Sequence, residues 1–265
     1  MREIGIEELK RIQLEMLKDI HSFCIAHSIM YSLAFGTLLG AVRHKGYIPW
    51  DDDIDIMLPR DDYDRFVSGY GNERYQVVDI SKDSQYGLAF AKVLDVRTLL
   101  IENTIDKNEY GIYIDVFPID NIPDNMSERK RFYRRKDFWN ALHIFKTVQL
   151  NSHRPIIKNL ILLIGRIISL PLSKTFITKK MDKISRKYQG YQTEFMGIVA
   201  PADSRIEEAI PAKYFKEYVE LPFEDSTFMA IRAYDEYLTA AYGNYMHLPP
   251  EEKRVSHHSF QAWWK

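Results

Sequence analysis

The stretch Trp50-Asp51-Asp52-Asp53-Ile54-Asp55-Ile56-Met57-Leu58 places four carboxylates within five residues and runs them straight into an apolar segment. Like charges a few Å apart repel, and partial burial strengthens the repulsion. An acidic turn that only faced water would not lead into Ile-Asp-Ile-Met-Leu. The chain must therefore sink the apolar side chains into a core and gather the carboxylates at its edge, with something positive beside them. Carboxylate oxygens suit a hard divalent cation, Mg2+ or Mn2+. Spacing sharpens the assignment. If residues 53–58 form a strand, alternate side chains share a face. Asp53 and Asp55 then point one way, as metal ligands, and Ile54 and Ile56 point into the core. Asp51 joins them if the extended conformation begins early, and Asp52 faces away. Two metals usually need a third carboxylate from elsewhere. Asp115 is the best candidate, a single charge between Ile114 and Val116 in another apolar run. Its competing role is an edge-strand residue facing water.

Hydrophobic periodicity organises the surroundings. Ile6, Leu9, Ile12, Met16, Ile20 and Phe23 step by three or four along one side of a helix over 6–28. Residues 31–35 read as a short strand, and 37–43 as a helix with Gly36 or Thr37 near its N-cap. Pro59 opens a helix whose first turn holds Asp61 and Asp62, where the helix dipole favours acidic groups. Strands are expected at 75–80, 88–94, 98–101 and 111–117, the last ending at Pro118. From residue 127 the pattern turns helical: basic helices over 127–146 and 173–189 flank a very apolar run over 156–172. A strand over 195–199 and a helix over 225–242 precede an aromatic tail. The sum is an α+β fold: a mixed β-sheet core with flanking helices and a basic helical insertion. The expected division is 1–125 for a catalytic core, 126–190 for the basic helical subdomain, and 191–265 for a part completing the core and active site.

Gly36-Thr37 lies between a strand and a helix, where backbone N–H groups attract phosphate and glycine admits close approach. Alone the pair reads equally as an ordinary turn. Ahead of a strand bearing Asp-x-Asp it carries more weight. The layout apolar-Gly-Thr, helix, Asp53-Ile-Asp55-Ile and a distant Ile-Asp115-Val resembles the polymerase-β-type nucleotidyltransferase fold. The full string from Gly36 to Ile56, Gly-Thr-Leu-Leu-Gly-Ala-Val-Arg-His-Lys-Gly-Tyr-Ile-Pro-Trp-Asp-Asp-Asp-Ile-Asp-Ile, resembles the LicD family, of which fukutin-type enzymes are distant relatives. The similarity continues through Pro59–Phe66 and Ile114–Asp120, then returns at Tyr242–Arg254 and at His257-His258. Between 127 and 190 it is one of composition only. Relatives often carry Asp where this chain has Asn244.

The resemblance implies a phosphotransferase that uses a CDP-alcohol, typically CDP-choline. It would pass phosphocholine to a sugar hydroxyl of a cell-surface glycan, in lipopolysaccharide or a teichoic acid precursor, and release CMP. In that reading Mg2+ held by Asp53, Asp55 and Asp115, with Asp51, bridges diphosphate oxygens, and Asp115 also suits the task of accepting the acceptor's proton. Arg43, His44 and Lys45 are each either phosphate contacts or loop charges balancing Asp51–Asp53. Arg254 and His257 match the C-terminal part of the resemblance as substrate contacts; a histidine there would titrate near neutral pH. A choline cation is best held over aromatic faces. Trp50, Tyr47 and Tyr113 lie beside the motif, and core packing is their alternative role. Rival readings keep the fold and change the alcohol to ethanolamine, glycerol or ribitol, or replace it by a nucleotide-sugar glycosyltransferase with an Asp-x-Asp metal site. A membrane-associated scaffold is the non-enzyme alternative.

Net charge conceals an asymmetry. Residues 126–190 hold 16 Lys and Arg against Glu128, Asp137 and Asp182, a balance of +13; the remainder holds 36 − 16 = 20 basic and 37 − 3 = 34 acidic residues, a balance of −14. Such a segment favours anionic partners, and Ile/Leu-rich sequence beside it points to an anionic membrane rather than nucleic acid. An acceptor glycan carried on a lipid would suit that contact. The lone Cys24 allows no internal disulfide, and the first eight residues lack the apolar core of a signal peptide. Both fit an expectation of a cytoplasmic protein acting at the inner face of the plasma membrane.

Overall fold

The computed structural model describes residues 1–83, 85–102, 110–151, 154–200, 209–255 and 260–265. In chain order the elements are β1 (Arg2–Ile4), α1 (Ile6–Ala26), β2 (Ser32–Leu33), α2 (Phe35–Arg43), β3 (Asp55–Pro59), α3 (Arg60–Gly69), β4 (Tyr75–Val78), β5 (Ala91–Asp95), β6 (Thr98–Glu102) and β7 (Tyr113–Ile122). There follow α4 (Met126–Thr147), α5 (Ile156–Ser169), α6 (Lys174–Ser185), β8 (Phe195–Gly197), β9 (Ile210–Pro211), β10 (Tyr218–Phe223), β11 (Ser226–Ile231), α7 (Tyr234–Tyr242) and β12 (Phe260–Trp264).

The main sheet runs β2-β3-β7-β5-β4, with β8 and then β9 continuing from the far end of β7. β3 and β7 are parallel, and the other pairings in this sheet are antiparallel. The sheet is thus mixed, as expected of the α+β class. A second sheet, β1-β12-β6, joins the first strand to the last, and β10 and β11 form a hairpin. The core is continuous from α1 into the main sheet: Met16, Leu17 and Ile20 of the helix are fully buried, as are Ile56, Leu58, Ile114 and Val116 of the central strands. α1 spans Ile6–Ala26 because its apolar residues recur at helical spacing, and Glu7 and Glu8 sit in its first turn.

Three boundaries differ from expectation for identifiable reasons. β7 does not stop at Pro118. It pairs with β5 through Val116 and with β8 from Asp120, so Pro118 falls in the gap between those partners, where its missing N–H leaves no ladder bond unmade on that side. Residues 226–231 are a strand, not the start of a helix, because Ser226–Ile231 folds back on Tyr218–Phe223 about Glu224-Asp225; the helix begins only at Tyr234. β3 starts at Asp55, leaving 51–54 irregular. The helical layer α4–α6 buries its own clusters, Leu142 with Ile177 and Met181, and Phe132 with Tyr133 and Tyr188.

Candidate active site

The carboxylates assemble because β3 and β7 are parallel neighbours in register. Asp55 lies opposite Asp115, so both side chains leave the same face of adjacent strands. The register is pinned at the start of β3. Asp115 N–H donates to Ile54 O at 3.1 Å, Ala34 N–H to Asp55 O at 3.0 Å, and Asp55 N–H to the buried Thr37 Oγ1 at 2.9 Å. Thr37 therefore ties the first turn of α2 to the strand that carries Asp55.

Asp55 is 8 % exposed. Burial, then the charges of Asp53, Asp115 and Asp51, push its carboxyl well above the ordinary carboxylate range, while Lys92 pulls the other way. Lys92 belongs to β5, opposite Asp115 in the ladder. Its ammonium lies 2.5 Å from Asp115 Oδ1 and over the ring of Tyr113. The sequence signal for this lysine is its setting: like Asp115, it is a charge flanked on both sides by apolar residues, Ala91 and Val93.

Asp51, Asp52 and Asp53 present oxygens within 4.8 Å of one another. Asp52, expected to face away, is buried at 6 % exposure, and its carboxylate groups with those of half-buried Asp51 and Asp53. The alternation argument fails there because residues 51–54 are not a strand, so no period of two applies. Asp51 packs on the first turn of α2, where a Cβ on Gly36 would stand 2.5 Å from Asp51 Oδ2. Glycine at that position admits a negative group to a helix N-terminus, and it is the Asp51 carboxylate that sits there. Phe35, one residue earlier, adopts a left-handed φ of +44°, a strained conformation for an aromatic residue.

A donor set this rich in carboxylate oxygens, with Asp55 destabilised in its charged form by its own neighbours, fits a hard divalent cation. Asp51, Asp52 and Asp53 form one group able to hold it; Asp55 and Asp115 form the adjoining wall.

The other expected residues fall into a basic and aromatic arc. The Arg43 guanidinium donates to Tyr245 O at 2.7 Å and, through Nε, to His44 Nε2 at 2.9 Å. Burial and the neighbouring Arg43 lower the His44 pKa, in keeping with a ring nitrogen that accepts. His44 meets the ring of Trp50 edge-on, and the Arg254 guanidinium lies 5.7 Å from the Trp50 ring. The structure so brings Arg254 to the acidic motif. Lys45 is exposed, at φ +63°, with its ammonium on Val42 O. All three aromatic candidates already carry a cation from the chain itself: Lys10 over Tyr47, Lys92 over Tyr113 and Arg254 near Trp50. His257 and His258 lie outside the described residues.

Comparison with known proteins supplies the family. Residues 28–153 match the family described as LicD/FKTN/FKRP, nucleotidyltransferase domain. The chain belongs to the LicD family. It is 30 % identical over 275 aligned residues, 99 % of each chain, to the lipopolysaccharide cholinephosphotransferase LicD of Haemophilus influenzae. An uncharacterised protein of Rickettsia typhi is 32 % identical over 126 residues, 47 % of this chain and 40 % of its own.

Proposed function

We propose that this protein transfers phosphocholine from CDP-choline to a sugar hydroxyl of a cell-surface glycan, with release of CMP, on a nucleotidyltransferase-type core. The observation that carries the reading is the register of Asp55 and Asp115 beside Asp51–Asp53, a carboxylate wall that needs a cation. The full-length similarity to a lipopolysaccharide cholinephosphotransferase supports the substrate class. In the reaction the acceptor oxygen forms a bond to the choline-bearing phosphorus, the bond from that phosphorus to the CMP oxygen breaks, and the hydroxyl proton passes to a carboxylate of the cluster. Mg2+ or Mn2+, held by Asp53, Asp55 and Asp115 with Asp51, would offset the charge on the diphosphate oxygens. Lys92 Nζ lies 2.5 Å from Asp115 Oδ1 and orients that carboxylate, whose other oxygen is the one to face the acceptor hydroxyl. Thr37 and Gly36 fix the helix against which the acidic group is placed. Arg43, His44 and Arg254 form the basic side that faces phosphate. The acceptor is a lipopolysaccharide or teichoic acid precursor met in the cytoplasm, at the inner face of the plasma membrane.

Two measurements test the reading. Asp55→Asn is expected to abolish CMP release from CDP-choline while the protein still unfolds cooperatively; full residual activity removes Asp55 from the site. Thermal unfolding with Mg2+ and, in turn, CDP-choline, CDP-ethanolamine, CDP-glycerol, CDP-ribitol and nucleotide sugars identifies the donor. A ligand at a hundred times its Kd adds about 2.7 kcal/mol. That corresponds to a Tm rise of roughly 5–10 °C in a chain of this size. A rise with nucleotide sugars alone overturns the phosphoalcohol assignment.

A further inference from the structure

α5 is mounted with its apolar side outward. Eight of its fourteen residues are exposed Ile or Leu, among them Ile156 at 87 %, Ile157 at 67 %, Ile167 at 60 % and Ile168 at 65 %. At about 100° per residue these eight positions fill one arc of roughly 160°. The opposite side is small and polar, and it makes the packing contacts. Gly165 lies against the Phe145 ring, where a Cβ would stand 2.4 Å from the ring carbons, and Leu162 and Ser169 are buried. Arg166 donates to Phe145 O and Val148 O, capping the end of α4. The helix is held in this orientation by specific contacts, and turning it inward would drive Ile side chains into a space that admits only glycine.

Apolar area of this extent on one helix calls for an apolar partner. Its neighbours carry the charge that selects the partner. Lys158 on α5 and Lys179 and Lys183 on α6 are exposed, in a segment whose balance is +13. A second copy docking here would bring two such segments together. An anionic bilayer surface supplies both the apolar interior and the opposite charge. Spanning is a poor fit: fourteen residues reach about 21 Å against a hydrocarbon core of about 30 Å. Among the described residues no single helix is long and apolar enough to cross. α5 and α6 meet the test only as a pair bent by 93°, and α6 is committed to packing on Leu142 of α4 through Ile177 and Met181.

We propose that α5 lies in the interface of an anionic membrane, its Ile/Leu arc among the acyl chains and the exposed lysines Lys158, Lys179 and Lys183 of α5 and α6 against the headgroups. The inference stands on the helical layer alone and is independent of the phosphocholine reading.

Flotation with vesicles tests it. The protein is expected to float with vesicles of equal parts phosphatidylglycerol and phosphatidylcholine at low salt. Partitioning should fall at least about tenfold with pure phosphatidylcholine, because each basic residue near an anionic surface adds to binding. The exposed triple variant Ile157→Asp, Ile164→Asp, Ile168→Asp should lose flotation while its thermal unfolding stays cooperative. Absence of flotation by the unaltered protein overturns the proposal. So does a solution dimer by light scattering that the triple variant converts to monomer, since α5 would then be a subunit interface.

Discussion

At the scale of single residues, Asp55 is the group whose ionisation opposes the fold. Its folded pKa lies above the unfolded value of 3.8, so between the two the folded state holds more protons than the unfolded one. Stability contributed by this site is therefore present at low pH and falls as pH rises from about the ordinary Asp value through the raised one. Asp55→Asn is expected to flatten that fall. In the absence of divalent cations the variant should have the higher Tm at neutral pH, which thermal denaturation across a pH series reads directly. Lys92 acts in the opposite sense. It is the positive charge the chain supplies to Asp115, and removing one partner of a buried pair costs about 3–5 kcal/mol. Lys92→Met should destabilise by about 3 kcal/mol, discounted from the upper figures because Asp115 keeps 18 % of its side chain in water. Added Mg2+ should restore more stability to Lys92→Met than to the unaltered protein; equal gains would dissociate Lys92 from the cluster.

Elements reveal why some of this was legible and some was not. Asp55 and Asp115 are legible because each is flanked on both sides by apolar residues that define a strand, and strand alternation applies there. Alternation assigns no facing to Asp52, because residues 51–54 lie outside the strand. A helix is expected over 225–242, whereas the chain reverses at Glu224-Asp225 to pair Ser226–Ile231 with Tyr218–Phe223. A reversal is set by pairing with a distant or adjacent strand, and such partners are absent from local periodicity. The ion pair of Arg60 with Asp120 was invisible for the same reason. Arg60 opens α3, and its guanidinium grips Asp120 of β7 through two bonds of 2.6 and 2.7 Å, with both side chains under 5 % exposed. Arg186 then bridges Asp182 of α6 to Asp64 of α3. These contacts fasten the helical layer to the strand that holds Asp115. Asp120→Asn is expected to lower unfolding free energy by about 3–5 kcal/mol in urea titrations. Replacing Arg60 and Asp120 together by Met and Leu should recover most of it, and no recovery would mean that the pair does more than balance charge.

Across the whole molecule, the acidic site and the basic helical layer are separate stations joined by β7. One end of that strand carries Asp115, and the other carries Asp120 and leads directly into α4. An apolar helix laid on a membrane by α4 and α6 would thereby hold the carboxylate wall at a fixed offset from the lipid surface. The small sheet β1-β12-β6 pairs strands from the beginning, middle and end of the sequence. β12 lies downstream of the segment in which Tyr245 and Arg254 reach Arg43 and Trp50. Ala262 is buried at 2 % in the middle of this sheet. Ala262→Asp should destabilise by about 3 kcal/mol or more, since it buries a charge between two strands. It should also weaken donor binding at temperatures where the protein is still folded, as isothermal titration would show; unchanged affinity would separate the sheet from the site.

The same sheet sets the order in which the molecule can be finished. Ile4 pairs with Ala262, so 262 − 4 = 258 positions separate two residues that share a ladder. On the ribosome β1 emerges with its edge open and must wait for the residues up to β12 before its neighbour exists. Until then an unpaired strand edge is available to other chains, the situation in which β-structure associates wrongly. Strand β1 is only three residues long and carries Arg2 and Glu3 on its exposed positions, a short charged edge that makes a poor template during that wait.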